Sequence, residues 1–149
     1  FHAWVEHRSG LVGASGSLDD ALWEDDTESA GLSTADDAAL RVLKDSFEKS
    51  EWAGLQPLAV ETEINFRFVG LDDREHLAIC KLDAVYRRGE RIEIVDWKTG
   101  RPPRTAAERE ERLAQLRLYR RAYQARSGVP AELIDVVLYY VADDLVIRD

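Results

Sequence analysis

Apolar and polar residues alternate along residues 58–69, with Val60, Thr62, Ile64, Phe66 and Phe68 set against Glu61, Glu63, Asn65 and Arg67. A period of two predicts a strand with one face turned to a core, entered here just after Pro57. Two more strands are predicted on either side of Gly89. Leu77, Ile79, Leu82 and Val85 make the first apolar, and Ile92, Ile94 and Val95 the second. The helical period takes over elsewhere. Ala38, Leu40, Leu43 and Phe47 fall on one side of a helix that Thr34 or Asp36 can cap and that runs to about Ser50. A longer helix is predicted over residues 106–126. Thr105 caps it, Gly128 and Pro130 close it, and Pro102-Pro103 ends the strand before it. Strands over 133–141 and 145–148, joined by Asp143-Asp144, complete the chain. Residues 1–8 read as a helix or the end of one. Residues 9–35 read as a Gly/Ser/Asp-rich loop with one short helix around 18–23. The order is helix, three strands, helix, two strands. It predicts a single α/β domain over residues 1–149, a mixed sheet whose faces need helices over them.

The two strands around Gly89 carry acids inside apolar runs: Asp83 on the first, Asp96 on the second with Lys98 at i+2. An even-length turn centred on Arg88-Gly89, with Arg87 facing Glu90, puts Asp83 opposite Ile94 and Asp96 opposite Lys81. Asp83, Ile94, Asp96 and Lys98 then share one face. An odd-length loop separates the two acids onto opposite faces. Two carboxylates on one face can hold a divalent cation against a phosphate, and a nearby ammonium can orient water or stabilise negative charge. The plain alternative is a set of solvated strand charges, and D-x-K by itself is common. Burial of unpaired charge is costly, so acids inside apolar strands favour a site.

Charge and composition narrow the classes. The 149 residues suffice for one domain with a real core. Nothing in the chain is apolar for long enough to span a bilayer, and no secretory signal opens it. A single cysteine excludes an internal disulfide framework and a cysteine-rich zinc site, so the expected compartment is the cytoplasm. The chain has no methionine, which is read as an excised piece of something longer. The net charge of −9 opposes strong autonomous nucleic-acid binding. That charge is uneven: residues 1–75 carry 17 acids and 6 bases, residues 76–149 carry 12 acids and 14 bases. Eight arginines and three acids lie between Arg101 and Arg126, so DNA contacts are expected from that side. A solvated helix face is the alternative.

Four motifs give the chain a family likeness. They are Phe1-His2-Ala3-Trp4, Leu82-Asp83-Ala84-Val85, Val95-Asp96-Trp97-Lys98-Thr99-Gly100 and Gln115-Leu116-Arg117-Leu118-Tyr119. Together they resemble the first-helix His motif, the G-x-[IL]-D-x-[VI] strand, the V-D-[YW]-K-T-G signature and the Q-x-x-x-Y motif of the RecB-like branch of the PD-(D/E)xK nucleases. Such domains commonly end bacterial helicase–nuclease subunits of the RecBCD, AddAB and AdnAB kinds. One departure stands out: Lys81 occupies the position where that family usually has glycine.

The resemblance implies a restriction-endonuclease-like core and a metal-dependent, exonuclease-type deoxyribonuclease. It implies a role in DNA-end processing for double-strand-break repair. By the same likeness His2, Asp83, Asp96 and the backbone carbonyl of Trp97 would ligate Mg2+, with Mn2+ able to substitute. Lys98 would orient water or stabilise the phosphate. Gln115 and Tyr119, at i and i+4 on one helix face, would bind the DNA backbone or steady Lys98; core packing rivals that role for Tyr119. Either Glu63 or Glu61 would support the site. The implied partners are DNA, single-stranded or as ends, a helicase domain of the same parent chain and a second helicase–nuclease subunit. No membrane is implied, and this piece holds no P-loop motif of its own. The rival reading within the likeness is a catalytically silent copy that scaffolds a partner or guides DNA. A plain DNA-binding module is the third reading.

Overall fold

The structure is a computed structural model that describes residues 1–11 and 34–149. The short helix expected around residues 18–23 lies outside them. Helix α1 spans His2–Ser9 and helix α2 Thr34–Lys49. Strands β1 (Ala59–Val69), β2 (Glu75–Arg88) and β3 (Arg91–Lys98) follow as an antiparallel meander. Helix α3 (Ala106–Ser127) then crosses to β4 (Ile134–Tyr140), which pairs parallel to β3, and β5 (Leu145–Arg148) closes the sheet antiparallel to β4. The five strands lie in chain order, so the sheet is mixed, as the element order requires.

Helix α3 begins with a complete capping box. Thr105 Oγ1 accepts from the Glu108 N–H, and Glu108 reaches back to the Thr105 N–H. It ends at Gly128, whose left-handed backbone a side chain would strain. Its buried face, Leu113, Leu116, Tyr119 and Ala122, packs on Ile92, Ile94, Val136 and Leu138. The opposite sheet face, Ala84, Tyr86, Val95, Val137 and Tyr139, packs against Val5 of α1, Phe47 of α2 and Trp52. Alternation along β3 and β4 thus feeds two cores, one under each helical layer. Of the apolar positions expected on α2, only Phe47 is fully buried, and Ala38 is exposed.

Three details differ from the sequence reading. Arg88, not Arg87, opens the turn and faces Arg91, so Gly89 and Glu90 form a two-residue loop with Gly89 at φ 63°. A left-handed first loop residue is what such hairpin loops place on glycine. The register therefore moves by two positions: Val85, not Asp83, faces Ile94. Lys81 faces Glu63 across β1 rather than Asp96. The loop length stays even.

The second difference is a break in alternation. Ala59 packs in the α3-side core and Val60 in the other, yet Ile64 and Phe66 return to the α3 side. On β2, Cys80, Leu82 and Val85 are on the α3 side, while Ala84 and Tyr86 are not. Both strands slip by one residue, at Glu61 and at Asp83, and Glu61 carries a left-handed φ of 44°. Such a slip re-aims side chains, as bulges next to sites do. Third, Leu77 and Ile79 are not core residues but are 61% and 60% exposed, because β1 and β2 run on past the end of β3 as a two-stranded arm.

Candidate active site at the end of strand β3

Pairing of β2 with β3 stops at Ala84 and Val95. Beyond it the strands splay, and the Asp83 carboxylate takes over from the ladder: the Trp97 N–H donates to Asp83 Oδ2 at 2.8 Å. On its other side β3 keeps pairing with β4 as far as Lys98 and Tyr140. Asp83 thus sits at the slip in β2 and at the split between strands, reachable from both helical layers.

Helix α1 brings His2 to this point from below. His2 Nε2 lies 3.2 Å from Asp83 Oδ2 and 3.2 Å from the Trp97 carbonyl oxygen. The helix is held by aromatic packing. Phe1 makes edge contacts with Phe47 and Trp97, and Trp4 with Phe47. Trp97 itself is buried among Phe47, Trp52, Tyr86 and Tyr139. One residue therefore anchors the α1 layer with its ring and offers its carbonyl to His2.

Asp96 points to the α3 side and is 4% exposed. Burial pushes its carboxyl above the usual range, and the negative charge of Asp83 adds to the rise; Lys98 and His2 oppose it. Lys98 Nζ stands 2.6 Å from Asp96 Oδ2. The ammonium is the ionic neighbour of this buried oxygen. The His2 imidazole is held above its ordinary value, mainly by its hydrogen bond to Asp83, against the opposing effect of burial.

Helix α3 supplies the opposite wall. Gln115 Nε2 donates to the Tyr119 hydroxyl oxygen at 3.1 Å. Tyr119 is 8% exposed and belongs to the core, so packing and site placement are both true of it. Burial, then Asp96 and Asp83, push its phenol up to about 12, and it is neutral at physiological pH.

Of the two glutamates left open by the sequence, Glu61 stands at the site. Its carboxyl is raised by burial and by Asp83, and it also feels His2, Glu6 and Lys81. Glu63 faces Lys81 on the strand ladder, and its carbonyl accepts from Arg126. Sequence reasoning missed the Glu61 backbone slip, which no residue type announces.

Among the described residues, no three His, Cys, Asp or Glu side chains stand as a ready ion cage. Their oxygens and nitrogen are drawn onto one another and onto Lys98. The donor set nevertheless suits a hard divalent cation. Neighbouring ligand atoms on an octahedral ion at about 2.1 Å lie about 3 Å apart. His2 Nε2 has that spacing to Asp83 Oδ2 and to the Trp97 carbonyl oxygen, and Asp96 Oδ2 is a buried carboxylate oxygen with the Lys98 ammonium 2.6 Å away.

The arginine run of α3 divides. Arg117 and Arg120 are bound to Asp149, and Arg126 to the Glu63 carbonyl. Arg101, Arg104 and Arg112 line a polar groove of 370 Å³ with Glu108 and Glu111. Residues 1–147 match the family model described as PD-(D/E)XK nuclease superfamily. No curated protein matches the chain.

Proposed function

Because the chain belongs to the PD-(D/E)XK nuclease superfamily, we propose that it hydrolyses phosphodiester bonds of DNA with a divalent cation, Mg2+ by preference and Mn2+ in its place. The observation that carries this reading is the meeting of His2 Nε2, Asp83 Oδ2 and the Trp97 carbonyl beside Asp96 and Lys98. Those three atoms and a carboxylate oxygen of Asp96 would hold the cation. Bound there, it supplies Lewis-acid activation of water and neutralises charge on the phosphate.

The chain's own residues do the rest. Asp96 keeps the Lys98 ammonium at the site, where it orients the attacking water and stabilises negative charge on the phosphate. Tyr119 accepts a hydrogen bond from Gln115, so its own O–H is free to donate to a phosphate oxygen. Glu61 adds a carboxylate beside Asp83. The cleavage is exonuclease-type and acts at DNA ends in double-strand-break repair. It is coupled to an ATP-driven helicase domain of the same parent chain, with a second helicase–nuclease subunit as partner, in the cytoplasm. The RecB-like motifs around His2, Asp83, Asp96 and Tyr119 support this finer reading. No helix among the described residues is long and apolar enough to cross a membrane.

The test is a nicking and end-degradation assay with Mg2+ or Mn2+, run on this chain and on its full-length parent. Wild type cuts, and Asp96→Ala and Lys98→Ala each lose at least about 100-fold. A folded chain and parent that cut nothing with either metal would establish the silent scaffold instead.

A further inference from the structure

The arm formed by β1 and β2 overhangs the site. Pairing of β2 with β3 ends at Ala84 and Val95, whereas β1 and β2 stay paired beyond it through Thr62–Leu82 and Glu63–Lys81. Past this rung β1 and β2 make six further pairs, from Ile64–Cys80 to Val69–Glu75, with no β3 beside them. Their α3-side face carries an aromatic strip. Phe66 and Phe68 stack at 5.8 Å and 12°, and Phe68 and His76 at 5.6 Å and 27°. Arg121, exposed on α3, lays its guanidinium over both phenylalanines, 5.5 and 5.6 Å from their centroids. The His76 ring is fixed as well. Its Nε2 is 2.8 Å from Asp72 Oδ1, and it lies 2.7 Å from where a side-chain carbon at Gly70 would stand.

A strip of half-buried rings ending in an exposed His76 is more than α3 needs to pack on the arm. Of the nearby acids, Glu75 faces Arg67 and Asp72 holds His76. The exposed His76 ring at the end of this stack, with a guanidinium beside it, is the kind of flat surface proteins use to hold unpaired nucleobases without regard to sequence. Paired bases within a duplex keep their faces covered by one another and gain nothing from such a surface. At about 3.4 Å per residue, Phe66 and Phe68 lie about 17 and about 24 Å along the strand from Glu61. That is a few nucleotides from the cleavage site. A chain of net charge −9 has reason to hold DNA by stacking rather than by phosphate contacts.

We propose that Phe66, Phe68 and His76, roofed by Arg121, form a stacking platform for single-stranded DNA that leads a free strand to the site. The proposal rests on the nuclease reading for its direction, and it names the single strand as the substrate form.

The experiment is anisotropy binding of a labelled oligothymidylate and of a blunt duplex, in chelator so that no strand is cut, with nuclease assays in parallel. The oligothymidylate binds more tightly than the duplex. Phe68→Ala weakens the single strand about ten-fold and leaves the duplex unchanged, while Phe68→Trp retains the preference. Arg121→Ala weakens it less and lowers the salt slope by about one. The preference persists in Asp96→Asn. Equal losses on both DNAs, or no loss in a folded Phe68→Ala, overturn the platform. So does a wild type that binds oligothymidylate no better than duplex, even if it cuts DNA. A Phe68-dependent preference in a chain that cuts nothing keeps the platform and removes the nuclease.

Discussion

Two carboxylates on β3, three residues apart, are equally buried: Glu93 is 3% exposed and Asp96 is 4%. Their surroundings are opposite. Glu93 Oε1 accepts from Trp52 Nε1 at 2.6 Å and Arg88 Nε at 3.0 Å, and Oε2 from Arg148 Nη1 at 2.6 Å. Glu51 ties both arginines together from outside. Asp96 has one ammonium against it and a second carboxylate nearby. A buried acid with both oxygens hydrogen-bonded and two guanidinium groups against it is a brace. One whose burial and like-charged neighbour outweigh its single ammonium stores unfavourable energy that a cation or substrate can release. Burial alone does not tell the two apart; the partners do.

The largest break in the comparison comes from Asp96→Asn. It should cost roughly 10²–10³-fold in cleavage and leave the melting temperature of the metal-free chain unchanged or higher. The sign follows from the raised carboxyl of Asp96. Ionisation costs more in the folded state than in the unfolded one, so wild type loses stability as pH rises from the unfolded value to the folded one. The stability gap between Asp96→Asn and wild type should therefore vanish in acid and be complete above the folded value. Thermal melts across pH in chelator check this.

Glu93→Ala should do the reverse. It leaves Arg88, Arg148 and the Trp52 N–H facing a buried gap. A cost of about 3–5 kcal/mol is expected, or a fall of roughly 10 °C in melting temperature. The fraction that stays folded should keep its cleavage rate. Trp52→Phe removes one donor from the same brace and should cost about 1–3 kcal/mol, measured by denaturant unfolding.

The smallest effect sharpens the contrast. Lys98→Met should lower stability near neutral pH in wild type but not in the Asp96→Asn background. A double-mutant cycle with coupling of about 0.5–3 kcal/mol is the expected outcome.

What the sequence made legible was local. The Val95–Gly100 run, the Thr105 cap and the i, i+4 pair Gln115 and Tyr119 carry their geometry in their spacing, and the structure keeps it. The turn around Gly89 was readable in kind but off by two in register, because glycine's left-handed φ decides which residue opens the loop. Glu93 gave no signal. Its partners Trp52 and Arg148 lie 41 and 55 residues away and meet it only when β5 and the α2 layer close. Leu77 and Ile79 looked like core residues because alternation reports a face, not whether anything covers it. The slip at Glu61 and Asp83 was hidden for the same reason: apolar residues continue on both sides of it.

That paired slip sets a rule for how this chain can change in length. Removing Glu61 alone would straighten β1 but turn Ile64 and Phe66 outward, while β2 still swapped cores at Asp83. Adding a residue on either side would do similar harm. Insertions and deletions should accumulate in the turn between the arm's strands and be purged from the stretch that holds the acids, whatever the amino acids there become.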